Sequence, residues 1–223
     1  MYKRKIEYFL LEWKNDPDRK PLVIKGCRQC GKTSSVLEFA RKNYKNVIYM
    51  DFHEQKELCS LFEGSLQIDY LTVAISAAIP SARFEKGKTC LIFDEIQDCP
   101  QARSSLKFFK LDGRYDVICT GSLLGVNGYR TSDANYSVPV GFETIIDMNP
   151  MDFEEWLWVN GIQDSVIELL KTSLAEEKPV PKPIHDRMRQ LMLQYIVVGG
   201  MPEAVKKFFA THDINKVVAI QRN

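Results

Sequence analysis

A short segment near the N-terminus constrains this chain more than any other feature of its sequence. Residues 26–33 read Gly-Cys-Arg-Gln-Cys-Gly-Lys-Thr and match the pattern G-x-x-x-x-G-K-[S/T]. The apolar run at residues 21–25 predicts a strand before the segment, and apolar residues at helical spacing predict a helix after it. Strand, glycine-containing loop and helix N-terminus, in this order, form the context in which backbone N–H groups bind phosphate. We therefore expect residues 26–33 to form a phosphate-binding loop.

The parts of this loop have separate chemical roles. Gly26 and Gly31 are expected to allow backbone torsions that a side chain would block, so that successive N–H groups turn toward phosphate oxygens. Lys32 can reach the β- and γ-phosphates as a point charge, and the Thr33 hydroxyl can be a ligand of Mg²⁺. The expected nucleotide-binding residues of this segment are Gly26, Cys27, Arg28, Gln29, Cys30, Gly31, Lys32, Thr33 and Ser34.

A second segment supplies two carboxylates. Residues 90–93 are apolar, as in a buried strand, and Asp94 and Glu95 follow them. Open α/β sheets place their sites at this end of their strands. We expect Asp94 to hold Mg²⁺ through water, and Glu95 to be the general base that orients a water molecule in line with the γ-phosphate. The alternative is a strand that ends in a solvated acidic turn.

Small hydroxyl side chains follow another predicted strand. Thr120 and Ser122 would lie beside the γ-phosphate if this strand is next to the two strands that carry the motifs. Either hydroxyl could then sense the γ-phosphate, with Ser122 the expected catalytic contributor beside Glu95 and Lys32. The alternative is that these residues cap and turn into the next segment.

Strands and helices alternate through the first two thirds of the chain. Besides the two runs already described, residues 46–51, 116–120 and 143–147 predict strands, with helical patterns between most of them. Such alternation predicts an α/β fold with a parallel sheet that helices cover on both faces.

From residue 150 onward only helices are predicted. They are expected at residues 152–159, 165–174, 184–198 and 202–210. Residues 176–183 carry three prolines at alternate positions and predict an extended connector of polyproline II character. We expect two domains, a core at residues 1–150 and a helical region at residues 151–223. The final segment reads as an unfinished helix, which indicates a longer natural protein.

These motifs resemble those of a known family. Residues 26–33, 91–95 and 120–122 are similar to the Walker A, Walker B and sensor-1 elements of AAA+ P-loop ATPases. Residues 149–156 and 198–204 resemble, more narrowly, the prokaryotic archaeal-type ATPases related to the STAND NTPases. The resemblance implies a five-stranded sheet in the order 5-1-4-3-2, a helical lid, and an ATP site between them. It also implies a further C-terminal domain of nuclease-like or unassigned type.

Two more site features depend on the resemblance. A Gly-x-Pro turn in the lid of these relatives packs on the adenine, which corresponds here to Gly200, Met201 and Pro202. The same residues also fit a helix C-cap followed by proline in the first turn of the next helix. Many relatives carry an arginine before the fifth strand, where residues 140–142 read Val-Gly-Phe, so Arg130 is a weak candidate for an arginine finger.

Composition and charge narrow the class of protein. The chain has 223 residues, of which 45% are hydrophobic and 26% charged, as in globular proteins. Its apolar runs are far shorter than the roughly 20 residues that span a bilayer. Charged residues interrupt the N-terminal apolar segment, which excludes a signal peptide. We therefore expect a cytoplasmic protein with no membrane association.

Two local features point to other chemistry. Cys27 and Cys30 have the spacing of a redox pair, but no second pair completes a zinc site, and we expect reduced thiols. Lys3, Arg4 and Lys5 form a local basic patch, although the net charge of +1 attracts no particular partner.

The leading hypothesis is Mg²⁺-dependent binding and hydrolysis of ATP, used as a conformational switch. The expected partners are ATP or ADP and a C-terminal effector domain or a separate effector protein. A homo-oligomer is a further possibility. Nucleic acid is another, if parts of the protein outside this chain bind it. The alternatives are an ATPase of a DNA-processing or nuclease-linked assembly, an ATP-binding switch with negligible hydrolysis, and a small-molecule phosphotransferase.

Overall fold

The computed structural model describes residues 2–122 and 141–222. The chain divides into two compact units. The sheet unit comprises Phe9–Met148, and the helical unit comprises Met1–Tyr8 and Asn149–Asn223. Arg130 and Val140 lie outside the described residues. The expected domains at residues 1–150 and 151–223 stay a prediction.

The sheet unit is built on five parallel strands. They are β1 (Leu22–Gly26), β2 (Asn46–Asp51), β3 (Thr89–Asp94), β4 (Asp116–Ser122) and β5 (Thr144–Met148). Their order is β2-β3-β4-β1-β5, which is the predicted order 5-1-4-3-2 read from the other edge. The predicted α/β fold is therefore confirmed. The strand before the loop, β1, and the strand that ends at Asp94, β3, both lie beside β4. Because the strands are parallel, the loop and Asp94 lie at the same carboxyl end of the sheet.

Helices connect these strands. They are α1 (Ile6–Asn15), α2 (Lys32–Asn43), α3 (Ile68–Ala78) and α4 (Pro100–Asp112), with 3₁₀ helices at Lys56–Phe62 and Ile96–Asp98. One end of the core is an aromatic cluster of Phe52, Phe62 and Phe93, whose ring centroids lie 5.5 to 5.8 Å apart. Burying each ring contributes about 1.5–3 kcal/mol, so this cluster helps to fix β3 beneath the site.

The helical unit contains five helices after the sheet. They are α5 (Phe153–Val159), α6 (Asp164–Ala175), α7 (Lys182–Val198), α8 (Pro202–Thr211) and α9 (Ile214–Gln221). Trp156 is fully buried at their centre, with the rings of Tyr195, Phe208 and Phe209 within 6 Å of its own. None of the helices in the described residues combines the length and apolarity that crossing a membrane requires.

The proline-rich connector is shorter than predicted. Pro181 is extended, with φ −51° and ψ 134°, but α7 already begins at Lys182 and includes Pro183 in its first turn. Proline is tolerated there because the first N–H groups of a helix have no intrahelical acceptor. The extended segment therefore ends two residues before residue 183.

The N-terminal basic residues pair within the helical unit. Lys3 pairs with Asp164, and Lys5 pairs with Asp152 at 2.6 Å and with Glu154 at 2.7 Å. The Arg4 guanidinium donates to Glu155 at 3.0 Å, with both side chains about 5% exposed. The possible basic patch is therefore paired in the structure, since acidic side chains of the helical unit bind all three residues.

The two motifs that suggested the narrower family contact each other. The Met151 N–H donates to the Gly200 carbonyl at 2.7 Å, and the Tyr195 hydroxyl donates to the Met151 carbonyl at 2.8 Å. A Cβ at Gly200 would overlap the Met151 carbonyl. Glycine at position 200 is therefore required by this close approach of two backbones.

Candidate functional site

The loop at residues 26–33 lies between β1 and α2, as the sequence predicts. Gly31 is the N-cap of α2 and takes the left-handed conformation, with φ 96°. Gln29 also has a positive φ of 62°. The loop therefore turns sharply just before the helix N-terminus, whose N–H groups and dipole favour an anion.

Gly26 is required for a different reason from the predicted one. Its φ is not positive, so the prediction that it relieves backbone torsion is wrong. A Cβ at this position would instead overlap the carbonyl of Met148, which pairs with Gly26 across β1 and β5. Glycine thus allows β5 to approach the start of the loop.

The Lys32 side chain lies inside the curve of the loop. Its ammonium donates to the carbonyls of Gly26 at 3.0 Å and Cys27 at 2.8 Å, and the residue is only 6% exposed. An ammonium group has three protons. Two of these protons therefore bind carbonyls of the loop backbone. They hold the charged group at the N-terminal end of α2, where phosphate would bind.

Asp94 is the centre of a hydrogen-bond cluster at the end of β3. Its Oδ1 accepts from the Thr33 hydroxyl at 3.1 Å, from the Glu95 N–H at 3.2 Å and from the Thr120 hydroxyl. Its Oδ2 accepts from the Tyr49 hydroxyl at 2.7 Å. Asp94 is 4% exposed, and these donors offset the cost of burying its charge.

The donor set suits a small hard cation. Thr33 comes from the first turn of α2 and Asp94 from the end of β3, so two oxygen ligands meet from different elements. Mg²⁺ prefers oxygen ligands and typically takes one or two side chains together with water and substrate phosphates. The residues present therefore fit the expected Mg²⁺, held by Thr33 directly and by Asp94 through water.

Glu95 has an unusual backbone conformation. Its φ of 50° and ψ of 52° are left-handed, which costs a non-glycine residue about 1 kcal/mol or more. The Gln97 side-chain amide donates to Oε2 of Glu95. The expected general base therefore lies at the correct end of β3, with its carboxylate bound to a side chain two residues along.

The two sensor candidates lie at different places on β4. Thr120 is fully buried and contacts Asp94 through its hydroxyl. Ser122 is the last residue of the strand and stands opposite Gly26 in the pairing of β4 with β1. Thr120 therefore belongs to the carboxylate cluster, whereas Ser122 lies at the start of the loop.

Sequence reasoning missed Tyr49 altogether. A tyrosine inside the run at residues 46–51 is typical of any strand, so it carries no signal of a site. Because the strands are parallel and β2 pairs with β3, Tyr49 projects near the same sheet edge as Asp94. Burial, and secondly the hydrogen bond to Asp94, raise the pKa of Tyr49 well above its usual range.

The other predicted loop residues differ in exposure. Arg28, Gln29 and Ser34 are exposed, and Cys27 is half-buried. Cys30 is buried, and its thiol donates to the Met148 carbonyl at 3.4 Å. All six cysteines are free thiols.

The Gly-x-Pro turn, Gly200-Met201-Pro202, joins α7 to α8 in the helical unit. Gly199 is the C-cap of α7 with φ 73°, and Pro202 stands in the first turn of α8. The capping interpretation therefore holds for Pro202, whereas the C-cap of α7 is Gly199 and not the predicted Gly200. The predicted contact of Pro202 with adenine stays a prediction.

A comparison with protein families decides what the sheet unit is. A family model described as an AAA domain matches residues 18–157, which include β1 to β5 and the loop at residues 26–33. The chain belongs to the AAA domain family. Membership of this family supports nucleotide-binding ATPase activity, and the matched range includes both the loop and Asp94. No curated protein sequence matches this AAA domain significantly.

Several solved structures resemble this AAA domain at low identity. The C. elegans PCH-2 structure is 10% identical with a TM-score of 0.42, and 82% of this chain and 50% of that chain are covered. The Aeropyrum pernix ORC1 protein in complex with DNA is 12% identical with a TM-score of 0.45, covering 94% and 65%. The Aeropyrum pernix ORC2 protein in its ADPNP-ADP complexes is 13% identical with a TM-score of 0.43, covering 70% and 48%. The chain thus spans between 48% and 65% of the length of these three structures, and likeness at this level carries no inference about function or partners.

Proposed function

We propose that this AAA domain binds ATP together with Mg²⁺, hydrolyses it, and uses the nucleotide as a conformational switch. The observation that carries the proposal is the contact between Thr33 and Asp94 at 3.1 Å, beside the loop that holds Lys32. Phosphate-binding loop, cation ligands and a following carboxylate occur together at one edge of the sheet. This combination is what hydrolysis of a nucleoside triphosphate requires.

Binding is assigned to the loop and the start of α2. The N–H groups of residues 26–33 bind phosphate oxygens, since the turn at Gly31 directs them toward one point at the helix N-terminus. Lys32 exchanges its carbonyl contacts for β- and γ-phosphate oxygens. Thr33 and Asp94 hold Mg²⁺, which when bound neutralises charge that develops on the phosphate oxygens.

The hydrolytic step is assigned to Glu95. Its carboxylate takes a proton from a water molecule that it orients toward the γ-phosphate. Thr120 and Ser122 are the hydroxyls that detect the γ-phosphate, Thr120 through Asp94 and Ser122 beside Gly26. Loss of the γ-phosphate then changes the hydrogen bonds at the ends of β3 and β4, which is how the switch operates.

The second candidate function is nucleotide binding with negligible hydrolysis. The hydrogen bond from Gln97 to Glu95 favours it, because a carboxylate held by a neighbouring amide is less available to orient water. In addition, the residues just before β5 are Gly141 and Phe142, whereas many members of the group that this chain resembles carry an arginine there. A transition-state arginine is worth roughly 10³–10⁵ in rate.

We also assign the domain to the STAND-related group and expect an effector domain or a partner protein to respond to the switch in the cytoplasm. Support for this assignment is the contact between Met151 and Gly200, which joins the two motifs on which the resemblance depends. A role in a DNA-processing assembly has less support. Lys3, Arg4 and Lys5 are occupied by acidic side chains and are not free for phosphate.

The test is equilibrium binding and turnover of ATP, GTP and ADP with Mg²⁺. We expect Lys32→Ala to lose ATP binding, and Glu95→Gln to keep binding while losing turnover. Lys42→Ala is the matched control, because Lys42 lies on the same helix and pairs with Glu38 at the surface. Binding that is equal in wild type and Lys32→Ala would reject the proposed site. Turnover that survives in Glu95→Gln would remove Glu95 from the role of base.

A further inference from the structure

Tyr49 lies between two carboxylates at the ends of neighbouring strands. Its hydroxyl is 2.7 Å from Oδ2 of Asp94 and 3.2 Å from Oδ2 of Asp51. Asp51 and Asp94 are partners in the pairing of β2 with β3, so the two carboxylates share one sheet edge. Among the described residues, no other hydrogen bond links the side chains of Asp51 and Asp94.

The phenol can serve only one of these carboxylates at a time. A tyrosine hydroxyl has a single proton, and both of its neighbours accept hydrogen bonds when they are ionised. The shorter contact is with Asp94, which therefore receives the proton. A phenol keeps its proton at neutral pH, so the Tyr49 hydroxyl is a hydrogen-bond donor there.

The contacts of Asp94 are divided between its two oxygens. Thr33, Thr120 and the Glu95 N–H all donate to Oδ1, whereas Tyr49 donates to Oδ2. Rotation of a carboxylate about the bond to its Cβ displaces both oxygens, so the donor on Oδ2 resists it together with the donors on Oδ1. Hydrogen bonds to both oxygens fix the plane of the group.

We propose that Tyr49 is a positioning residue for the Mg²⁺ site, in which its hydroxyl fixes the plane of the Asp94 carboxylate. This inference rests on the proposed function, because Asp94 matters only if the site holds Mg²⁺ with nucleotide. Hydrogen-bond partners of metal ligands typically change metal affinity by roughly 10- to 100-fold when removed. Tyr49 itself contacts neither the loop nor Thr33 in the described hydrogen bonds.

The test is a Mg²⁺ titration of the binding of a fluorescent ATP analogue to the full chain, with Tyr49→Phe as the variant. This substitution removes the hydroxyl and keeps the ring. We expect the Mg²⁺ concentration at half-saturation to rise about tenfold. Binding of the analogue in EDTA should stay within about twofold of wild type, since the loop is unchanged.

Tyr44→Phe is the matched control. The Tyr44 hydroxyl also donates to a carboxylate, Oδ2 of Asp116 at 2.8 Å, but Asp116 begins β4 and lies at the opposite edge of the sheet. General loss of a buried tyrosine–aspartate hydrogen bond would affect both variants. An effect on Mg²⁺ dependence is expected in Tyr49→Phe alone.

The outcomes separate this inference from the proposed function. A wild-type protein that binds the analogue without any response to Mg²⁺ would reject the metal site itself. A normal wild-type response, unchanged in Tyr49→Phe or changed equally in Tyr44→Phe, would overturn only the role of Tyr49. If Tyr49→Phe does not fold, 3-fluorotyrosine at position 49 should show a ¹⁹F shift between nucleotide with EDTA and nucleotide with Mg²⁺. The absence of that shift would likewise overturn the inference.

Discussion

The Thr33 hydroxyl donates a hydrogen bond of 3.1 Å to Asp94 and so joins the first turn of α2 to the end of β3. These residues are 61 positions apart in the sequence. The contact places a hydroxyl and a carboxylate together in a nearly buried setting, where two oxygen ligands suit Mg²⁺.

Thr33→Ala should therefore reduce Mg²⁺-dependent ATP binding by about tenfold or more, because one of two protein ligands is lost. Thr33→Ser keeps the hydroxyl and should retain most of the wild-type affinity. Isothermal titration with and without EDTA measures both effects. Equal affinity of the alanine and serine variants for Mg²⁺ and ATP would exclude Thr33 as a ligand.

Gly26→Ala should destabilise the sheet unit by about 1–3 kcal/mol, because its Cβ would overlap the Met148 carbonyl and force β5 to shift. Thermal or urea unfolding measures the change. Gly64→Ala is the control, since its Cβ would meet only the end of the half-exposed Tyr70 side chain. That variant should stay within about 0.5 kcal/mol of wild type. Comparable losses in both variants would contradict the role assigned to Met148.

Arg4→Ala should destabilise the helical unit by about 3–5 kcal/mol, because it leaves the buried carboxylate of Glu155 without its charge partner. The double variant Arg4→Met with Glu155→Leu should recover much of that loss, since no buried charge remains unpaired. Urea unfolding of wild type, Arg4→Met, Glu155→Leu and the double variant gives the coupling between the two residues in a double-mutant cycle. A coupling near zero would show that the pair is not energetically linked.

Gln97→Ala tests whether the amide restrains the general base. If the hydrogen bond to Glu95 holds the carboxylate away from water, turnover should rise about threefold or more while ATP affinity stays constant. Steady-state phosphate release measures turnover. If turnover in Gln97→Ala instead falls as it does in Glu95→Gln, Gln97 supports the general base rather than restraining it.

Acid should weaken the attachment of the N-terminal segment to α5. The hydrogen bond from Lys5 lowers the pKa of Glu154 below its ordinary value of 4.5. The contribution of this pair is therefore present above about pH 4.5 and is lost as the pH falls through the lowered pKa in the folded state. Lys5→Met should flatten the dependence of unfolding free energy on pH between about pH 5 and 3. An unchanged slope would contradict the assignment of this pair.

Much of the fold followed from local sequence patterns. Apolar runs and breakers in short segments predicted the strands β1 to β5, and the strand order agrees with what the family resemblance implied. The start of α7 was predicted two residues late, since proline was taken as a breaker where the first helical turn accepts it. The acidic partners of Lys3, Arg4 and Lys5 could not be predicted, because they lie about 150 residues away in the sequence.

The sequence by itself determined the glycine-containing loop between β1 and α2, the carboxylates at positions 94 and 95, and the alternating pattern that builds a parallel sheet. Only the tertiary structure decided why Gly26 must be glycine and that Tyr49 reaches Asp94. Both depend on which strands lie side by side, β5 against β1 and β2 against β3. Local patterns report the period and polarity of one segment, whereas a close approach between backbones or a shared proton exists only after distant segments have paired.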